Sequence, residues 1–227
     1  MHDSRYPLKP SVYSSHAALL RRLPDPGRGR RVLDTGCGDG YLAGILARRG
    51  YSVVGLESPG LASPAFPAEV RLVEADLDEG LPQLPGRFDV VLCGDVLEHL
   101  RRPERFLGQL KEALAPGGFL LLSLPNSGNL YFRLVVLSGR FPHEDRGLFD
   151  RTHLHFYTWD GWNDLFHSTG YRLHYVESAS IPVGERFPRW KNALPVRAAE
   201  RLSYGFARLR KELFAYQFIA EARPVKS

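Results

Sequence analysis

The chain has 227 residues, 44% hydrophobic and 24% charged, a length and balance that suit one α/β domain with room for a small insertion. No stretch approaches the ~20 apolar residues of a membrane span, residues 1–10 lack the apolar core of a signal peptide, and the two cysteines, Cys37 and Cys93, exclude a disulfide framework or a cysteine-rich zinc site. A cytoplasmic setting is expected. The formal net charge of +5 rests mainly on arginine, and a basic surface can attract RNA, a membrane or an anionic substrate. The basic residues form no long block, so charges scattered over a solvated surface are the expected reading.

In chain order, residues 11–23 predict a short amphipathic helix, ended by Pro24-Asp25-Pro26-Gly27. A strand at 31–35 leads through a glycine-rich turn into a helix at 41–49. Strands follow at 52–56, 70–74 and 88–93, with a Pro-, Ala- and Ser-rich loop or frayed helix at 58–69. The apolar run 88–93 suits a strand buried on both faces. Pro103 sets the first turn of a helix over 103–114. Pro116-Gly117-Gly118 is expected to end it before a strand at 119–124. Beyond Pro125 come an apolar segment at 130–137, a stretch rich in His, Asp, Arg and aromatics at 138–157, a helix at 159–168 and a strand at 171–177. An irregular basic connection at 180–195, an amphipathic helix at 196–211 and a last strand at 214–222 complete the chain. Strands alternating with helices predict an α/β, doubly wound, mostly parallel sheet with helices on both faces. Ligands of such sheets bind beyond the carboxyl ends of the strands.

The strongest local signal is Val32-Leu33-Asp34-Thr35-Gly36-Cys37-Gly38-Asp39-Gly40. Gly36, Gly38 and Gly40 let the backbone turn tightly and approach a ligand, which the next helix meets with its N-terminal N–H groups. Dinucleotides are bound by similar turns, but their fingerprint places its third glycine one position later, where this chain has Tyr41. Asp34, at the end of the strand, would repel a pyrophosphate and attract the ammonium of an amino-acid ligand. Glu57, ending the second strand, can accept hydrogen bonds from both hydroxyls of a ribose. After the third strand, Asp76 can accept from an adenine amino group while Leu77 packs on the ring. Asp95 and Val96, after the fourth, can close over the amino-acid part.

Taken in order, DTGCGDG, Glu57, EADL, FDVVLCGDVLEHL and LAPGGFLLLSLPN resemble a class I S-adenosylmethionine-dependent methyltransferase, a small-molecule methyltransferase domain of the ubiquinone/menaquinone-biosynthesis type. The resemblance covers about residues 30–126. It implies a Rossmann-like seven-stranded sheet whose last strand is antiparallel, with 171–177 and 214–222 as the final pair. It also implies S-adenosylmethionine as cofactor and S-adenosylhomocysteine as product, held by Asp34, Gly36, Cys37, Gly38, Gly40, Glu57, Asp76, Leu77, Asp95 and Val96. Residues 1–227 then form one domain, with 127–157 and 180–211 as an acceptor-side lid or insertion.

An oxygen acceptor calls for a general base, and histidine suits neutral pH. His99 follows the fourth strand. His153 and His155 lie in FDRTHLHFYT, which resembles a segment that borders the acceptor pocket in some family members. His153 is the first choice, with His99 and His155 as alternatives, although His99 also suits a purely structural brace. His153 and His155 could hold a metal, but no third ligand is evident and none is expected. For 130–137 the expected role is core packing. The alternative is a mobile lid, with helix 196–211, that admits an apolar or lipid-like acceptor or makes peripheral membrane contact. The expected activity is methyl transfer to a small molecule, most simply on oxygen. An RNA or protein methyltransferase is an alternative suggested by the basic charge. No Asn-Pro-Pro-Tyr-like motif or appended RNA-binding domain supports it, and nucleic acid is not the expected partner. A catalytically silent cofactor-binding scaffold is the alternative of another class.

Overall fold

The computed structural model describes residues 11–62, 65–181, 184, 188–190 and 193–225. The expectation for residues 1–10, and the parts of the 58–69 and 180–195 connections at 63–64, 182–183, 185–187 and 191–192, lie outside the described residues. The strands are β1 (Arg31–Thr35), β2 (Ser52–Glu57), β3 (Arg71–Glu74), β4 (Phe88–Gly94), β5 (Leu114–Pro125), β6 (Tyr171–Ala179) and β7 (Gln217–Pro224). The helices are α1 (Ser15–Arg22), α2 (Tyr41–Arg48), α3 (Pro103–Ala113), α4 (Leu130–Leu137), α5 (Trp159–Ser168), α6 (Leu194–Leu209) and α7 (Lys211–Phe214), with 3₁₀ turns at Leu97–His99 and Pro188–Trp190.

The strands form one seven-stranded sheet in the order β3-β2-β1-β4-β5-β7-β6. β1 to β5 run parallel, and β7 is antiparallel to both β5 and β6. The chain first winds outward from β1 to β3 and then returns to place β4 on the other side of β1. The switch point therefore falls between β1 and β4, where a ligand crevice opens.

Because side chains alternate along a strand, β1, β2, β4, β5 and β7 feed two cores. Val32, Val53, Val90, Leu92, Leu121 and Ile219 pack under α1 and α2. Their neighbours Leu33, Val54, Val91, Cys93, Leu120, Leu122 and Phe218 pack with Phe106, Leu107 and Leu110 of α3 and with Trp162, Leu165 and Phe166 of α5. Burial on both faces explains the apolar run Val90-Val91-Leu92-Cys93 within β4. At ~1.5–3 kcal/mol for each large apolar side chain removed from water, these two layers hold the carboxyl edge of the sheet as a rigid platform.

Three expectations are corrected. Pro116-Gly117-Gly118 does not stop α3, which already ends at Ala113. It lies inside β5 as a bulge, where Phe88 pairs with Leu114 but Val90 with Phe119. A Cβ on Gly118 would stand 2.9 Å from the Phe88 carbonyl, which is why glycine fits there. The predicted helix 196–211 runs as α6 and α7, separated at Arg210 by φ −141° and ψ 84°. The short α7 takes residues assigned to the last strand, so β7 starts at Gln217 and not at 214. Segment 130–137 is not core. Asn129 caps α4 by accepting from the Tyr131 N–H, and Phe132 is its one buried residue, while Leu134 and Leu137 are 57% and 82% exposed. Phe132 stacks on Phe149 at 4.4 Å between ring centroids, so a small separate cluster anchors the helix. Among the described residues no helix is long and apolar enough to cross a membrane.

Candidate active site at the carboxyl edge of the sheet

The register sets the site. Val73, Leu56, Thr35, Cys93 and Leu122 align across β3, β2, β1, β4 and β5. One step further along lie Glu74, Glu57, Gly36, Gly94 and Ser123, so the acids and glycines singled out in the sequence converge on one edge.

Gly36, Gly38 and Gly40 all have positive φ, of 64°, 55° and 75°, a region costly for residues with a Cβ. The turn is packed closely at two of them. A Cβ on Gly36 would meet Val96 Cγ2 at 2.9 Å, and one on Gly40 would meet Pro67 Cδ at 2.6 Å, whereas Gly38 faces open space. Cys37 is tucked against Gly55 of β2, where a Cβ would lie 2.7 Å from its Sγ. The Cys37 thiol is thus a packing group, raised out of reach of ionisation by burial and by Asp34 and Glu57.

Asp34 is 3% exposed, and its Oδ2 has no hydrogen-bond partner. Burial first, and the Glu57 carboxylate second, push its pKa up to about 7. Glu57 Oε2 accepts from the Gly38 N–H at 2.6 Å and Oε1 from the Ser58 N–H at 2.8 Å. This fastens the glycine turn to β2 and leaves a further lone pair on each oxygen. Asp76 is exposed beyond β3, its Oδ1 accepting from the Asp78 N–H. Leu77 is buried in the core cluster that also holds Leu56 and Leu97. Asp95 has φ 57°, and its Oδ1 accepts from Ser123 Oγ and Gln217 Nε2, both at 2.7 Å. An unpartnered buried carboxylate beside a glycine turn fits a positively charged amino-acid headgroup and does not fit a phosphate.

The second half of the site lies beyond β4. The Glu98 carbonyl accepts from the Leu154 and His155 N–H groups at 2.8 and 3.2 Å, which pins the 150–157 segment against the 3₁₀ turn at Leu97–His99. Asp150 is buried, and its Oδ1 accepts from the Thr152 N–H and from Thr152 Oγ1, the latter at 2.6 Å. His99 Nδ1 faces the Thr152 carbonyl at 3.1 Å and Thr152 Oγ1 at 3.0 Å. A carbonyl only accepts, so the proton belongs on Nδ1 and the lone pair on Nε2. The His99 and His153 rings meet edge to face at 4.8 Å.

His153 Nε2 stands 3.9 Å from Glu98 Oε1, with side chains 6% and 1% exposed. Burial, then the neighbouring His99, push His153 down to about 4 against the opposing pull of Asp150, Asp95 and the Leu148 backbone, so it is unprotonated at neutral pH. His155 is not part of this group. Its Nε2 donates to the Leu100 carbonyl at 2.9 Å, and its ring stacks on Tyr157.

The structure therefore brings His99 and His153 together and adds residues that sequence reasoning missed. Glu98 is fully buried although it is an acid, a fact that its place in DVLEHL does not reveal. Asp150 and Thr152 orient His99, and Gln217 reaches Asp95 from a strand 122 residues away. No local pattern announces these.

Known proteins resemble this chain in sequence and in fold. A family model described as a methyltransferase domain matches residues 11–176. The mitochondrial ubiquinone biosynthesis O-methyltransferase of Schizosaccharomyces pombe is 39% identical over 123 residues, covering 48% of this chain and 43% of that protein. The chain spans about half the length of the curated relatives it matches. The crystal structure of an S-adenosylmethionine-dependent methyltransferase from Mesorhizobium loti superposes with TM-score 0.62 at 21% identity, over 91% of this chain and 96% of that one. A [4+2]-cyclase superposes equally well, with TM-score 0.62 at 18% identity over 99% and 85% of the two chains, so the architecture by itself does not define the reaction. The family match spans most of the chain, including both halves of the site, and with the seven-stranded fold it shows that the chain belongs to the methyltransferase-domain family, the S-adenosylmethionine-dependent enzymes of class I.

Proposed function

We propose that this chain transfers the methyl group of S-adenosylmethionine to an oxygen atom of a small-molecule acceptor. The observation that carries the reading is the buried, unpartnered Asp34 carboxylate at the switch point of the sheet. The cofactor's sulfonium supplies a methyl carbon already open to displacement, so the work left to the protein is positioning and the exclusion of water. Asp34 holds the positive headgroup, Glu57 offers its remaining lone pairs to hydroxyl donors, and Asp76 presents an accepting oxygen past β3. Gly38 leaves the gap over which the ligand lies, and Val96 packs against the neighbouring Gly36.

On the acceptor side, His153 takes the hydroxyl proton, with His99 beside it. Both lie on segments pinned to the end of β4, next to the proposed cofactor cleft. The names of the relatives, O-methyltransferases of ubiquinone biosynthesis, support oxygen as the attacking atom and a small acceptor. The exposed Leu134 and Leu137 of α4 support an apolar acceptor admitted under a lid made from 127–157 and the described part of 180–211, with 30–126 as the cofactor half of one domain. Two unpaired buried cysteines are consistent with a cytoplasmic setting.

The test is a panel of hydroxylated acceptors incubated with cofactor labelled on its methyl group, together with calorimetry of S-adenosylhomocysteine. Binding in the micromolar range and label on one acceptor class are expected. Failure to bind S-adenosylhomocysteine or S-adenosylmethionine would overturn the reading.

A further inference from the structure

We propose that Glu98, His99 and His153 form a binding site for one divalent transition-metal ion. The inference deepens the reading above, since it rests on the acceptor entering beside the 3₁₀ turn at Leu97–His99. One ligand atom from each of the three side chains can be chosen so that all lie within 4.8 Å of one another. They come from two segments over 50 residues apart in sequence, which the fold ties together by the Glu98 carbonyl and by the Thr152 bonds to His99.

The geometry suits a shared cation better than direct pairing. Glu98 Oε1 and His153 Nε2 are 3.9 Å apart, too far for a hydrogen bond. Two ligands at ~2.0–2.2 Å from a common ion stand ~3.0–3.5 Å apart, so the Glu98–His153 pair must close by about half an ångström, and no pair in the set of three is more than 4.8 Å apart. His99 is already set up as a ligand. Its Nδ1–H is held by the Thr152 carbonyl and hydroxyl, the hydroxyl is held in turn by the buried Asp150, and Nε2 keeps its lone pair. A carboxylate-backed partner on the remote nitrogen is the usual outer support of a metal-bound imidazole.

Two imidazoles and one carboxylate are the donors of zinc, manganese or iron(II) sites, and leave coordination positions open. Calcium and magnesium, which prefer all-oxygen cages, fit less well. An ion here would hold an oxygen of the acceptor and lower the pKa of its hydroxyl. In the loaded protein the lone pair of His153 belongs to the metal, so the ion takes over the task assigned to that imidazole in the metal-free protein.

The test uses tag-free protein stripped with chelator and titrated separately with Zn²⁺, Mn²⁺ and anaerobic Fe²⁺. Metal content, calorimetry and melting temperature are the readouts. About one ion per chain is expected, with a raised melting temperature. Glu98→Gln and His153→Gln should abolish uptake. Thr152→Val should weaken it by about 10–100-fold, and His155→Gln should bind as the parent does. Each variant is checked for S-adenosylhomocysteine binding, so loss of uptake in a folded protein counts. If the parent takes up none of the three ions, or if Glu98→Gln and His153→Gln still bind them as the parent does, the metal site is overturned. Retained S-adenosylhomocysteine binding and chelator-insensitive turnover would then leave the methyl-transfer reading standing. A chain that binds neither S-adenosylhomocysteine nor S-adenosylmethionine would sink that reading instead.

Discussion

Asp34 and Glu57 stand on adjacent strands at one sheet edge and oppose each other's charge: after burial, the Glu57 carboxylate is the second cause that lifts Asp34 to about 7. Without a cation, ionised Asp34 is a cost to the folded protein. Between the unfolded value near 3.8 and about 7, the native state keeps a proton that the unfolded chain has lost. From this group, therefore, stability falls as pH rises through that window and levels off above it. A cationic headgroup reverses the preference. S-adenosylhomocysteine affinity is expected to rise with pH up to about 7, by as much as about tenfold per unit, as measured by calorimetry from pH 5.5 to 8. Asp34→Asn is expected to flatten that profile and weaken binding about 100-fold, in keeping with the ~1.5–3 kcal/mol of a hydrogen bond to a charged group. A pH-independent affinity in the parent protein would count against the assignment.

The three glycines of the turn are separable. Gly36→Ala places a methyl against Val96 in a left-handed backbone, while Gly38→Ala bears only the backbone strain, about 1–2 kcal/mol. Gly36→Ala is thus expected to lower the melting temperature more than Gly38→Ala. Both should weaken S-adenosylhomocysteine, Gly38→Ala because its methyl fills the gap where the ligand lies. Equal binding by Gly38→Ala and the parent would remove that gap from the site.

His153→Gln is expected to lower turnover by about 10²–10⁴-fold, the range for loss of a general base, while S-adenosylhomocysteine affinity stays near that of the parent. His155→Gln should have little effect, because its Nε2 is committed to the Leu100 carbonyl. Unchanged turnover in His153→Gln would dismiss it from the reaction.

The exposed face of α4 makes a prediction about surfaces. With Leu134 and Leu137 outside the core, and arginines 133 and 140 nearby in sequence, the protein is expected to co-sediment with anionic phospholipid vesicles at low salt and to be released by higher salt. Leu134→Asp with Leu137→Asp should abolish this without changing the melting temperature. If the parent does not co-sediment, membrane contact is excluded and the face is left to the acceptor alone.

The alternation of strands and helices from β1 to β5, and the turn after β1, were legible because both depend on local rules. Burial on two faces produces apolar runs, helices repeat every 3.6 residues, and a left-handed backbone selects glycine. Asp34 and Glu57 could be read for the same reason, since each is the last or nearly the last residue of its strand. α4 misled because an apolar octet is compatible with either core or surface, and only its neighbours distinguish the two. The Pro-Gly-Gly bulge in β5 misled because those residues mark turns in most settings, whereas here the pairing with β4 continues around them.

The sequence alone determined the order of the elements, the glycine turn and the acids at the strand ends, since each is set by the few residues on either side. Tertiary structure decided that β7 inserts between β5 and β6, that Gln217 reaches Asp95, and that Glu98 meets His153. Those relationships depend on pairing and packing between segments tens of residues apart, where the gain in buried surface and hydrogen bonds must exceed the entropy of bringing distant chain together. That balance belongs to the whole fold, and no short stretch of residues encodes it.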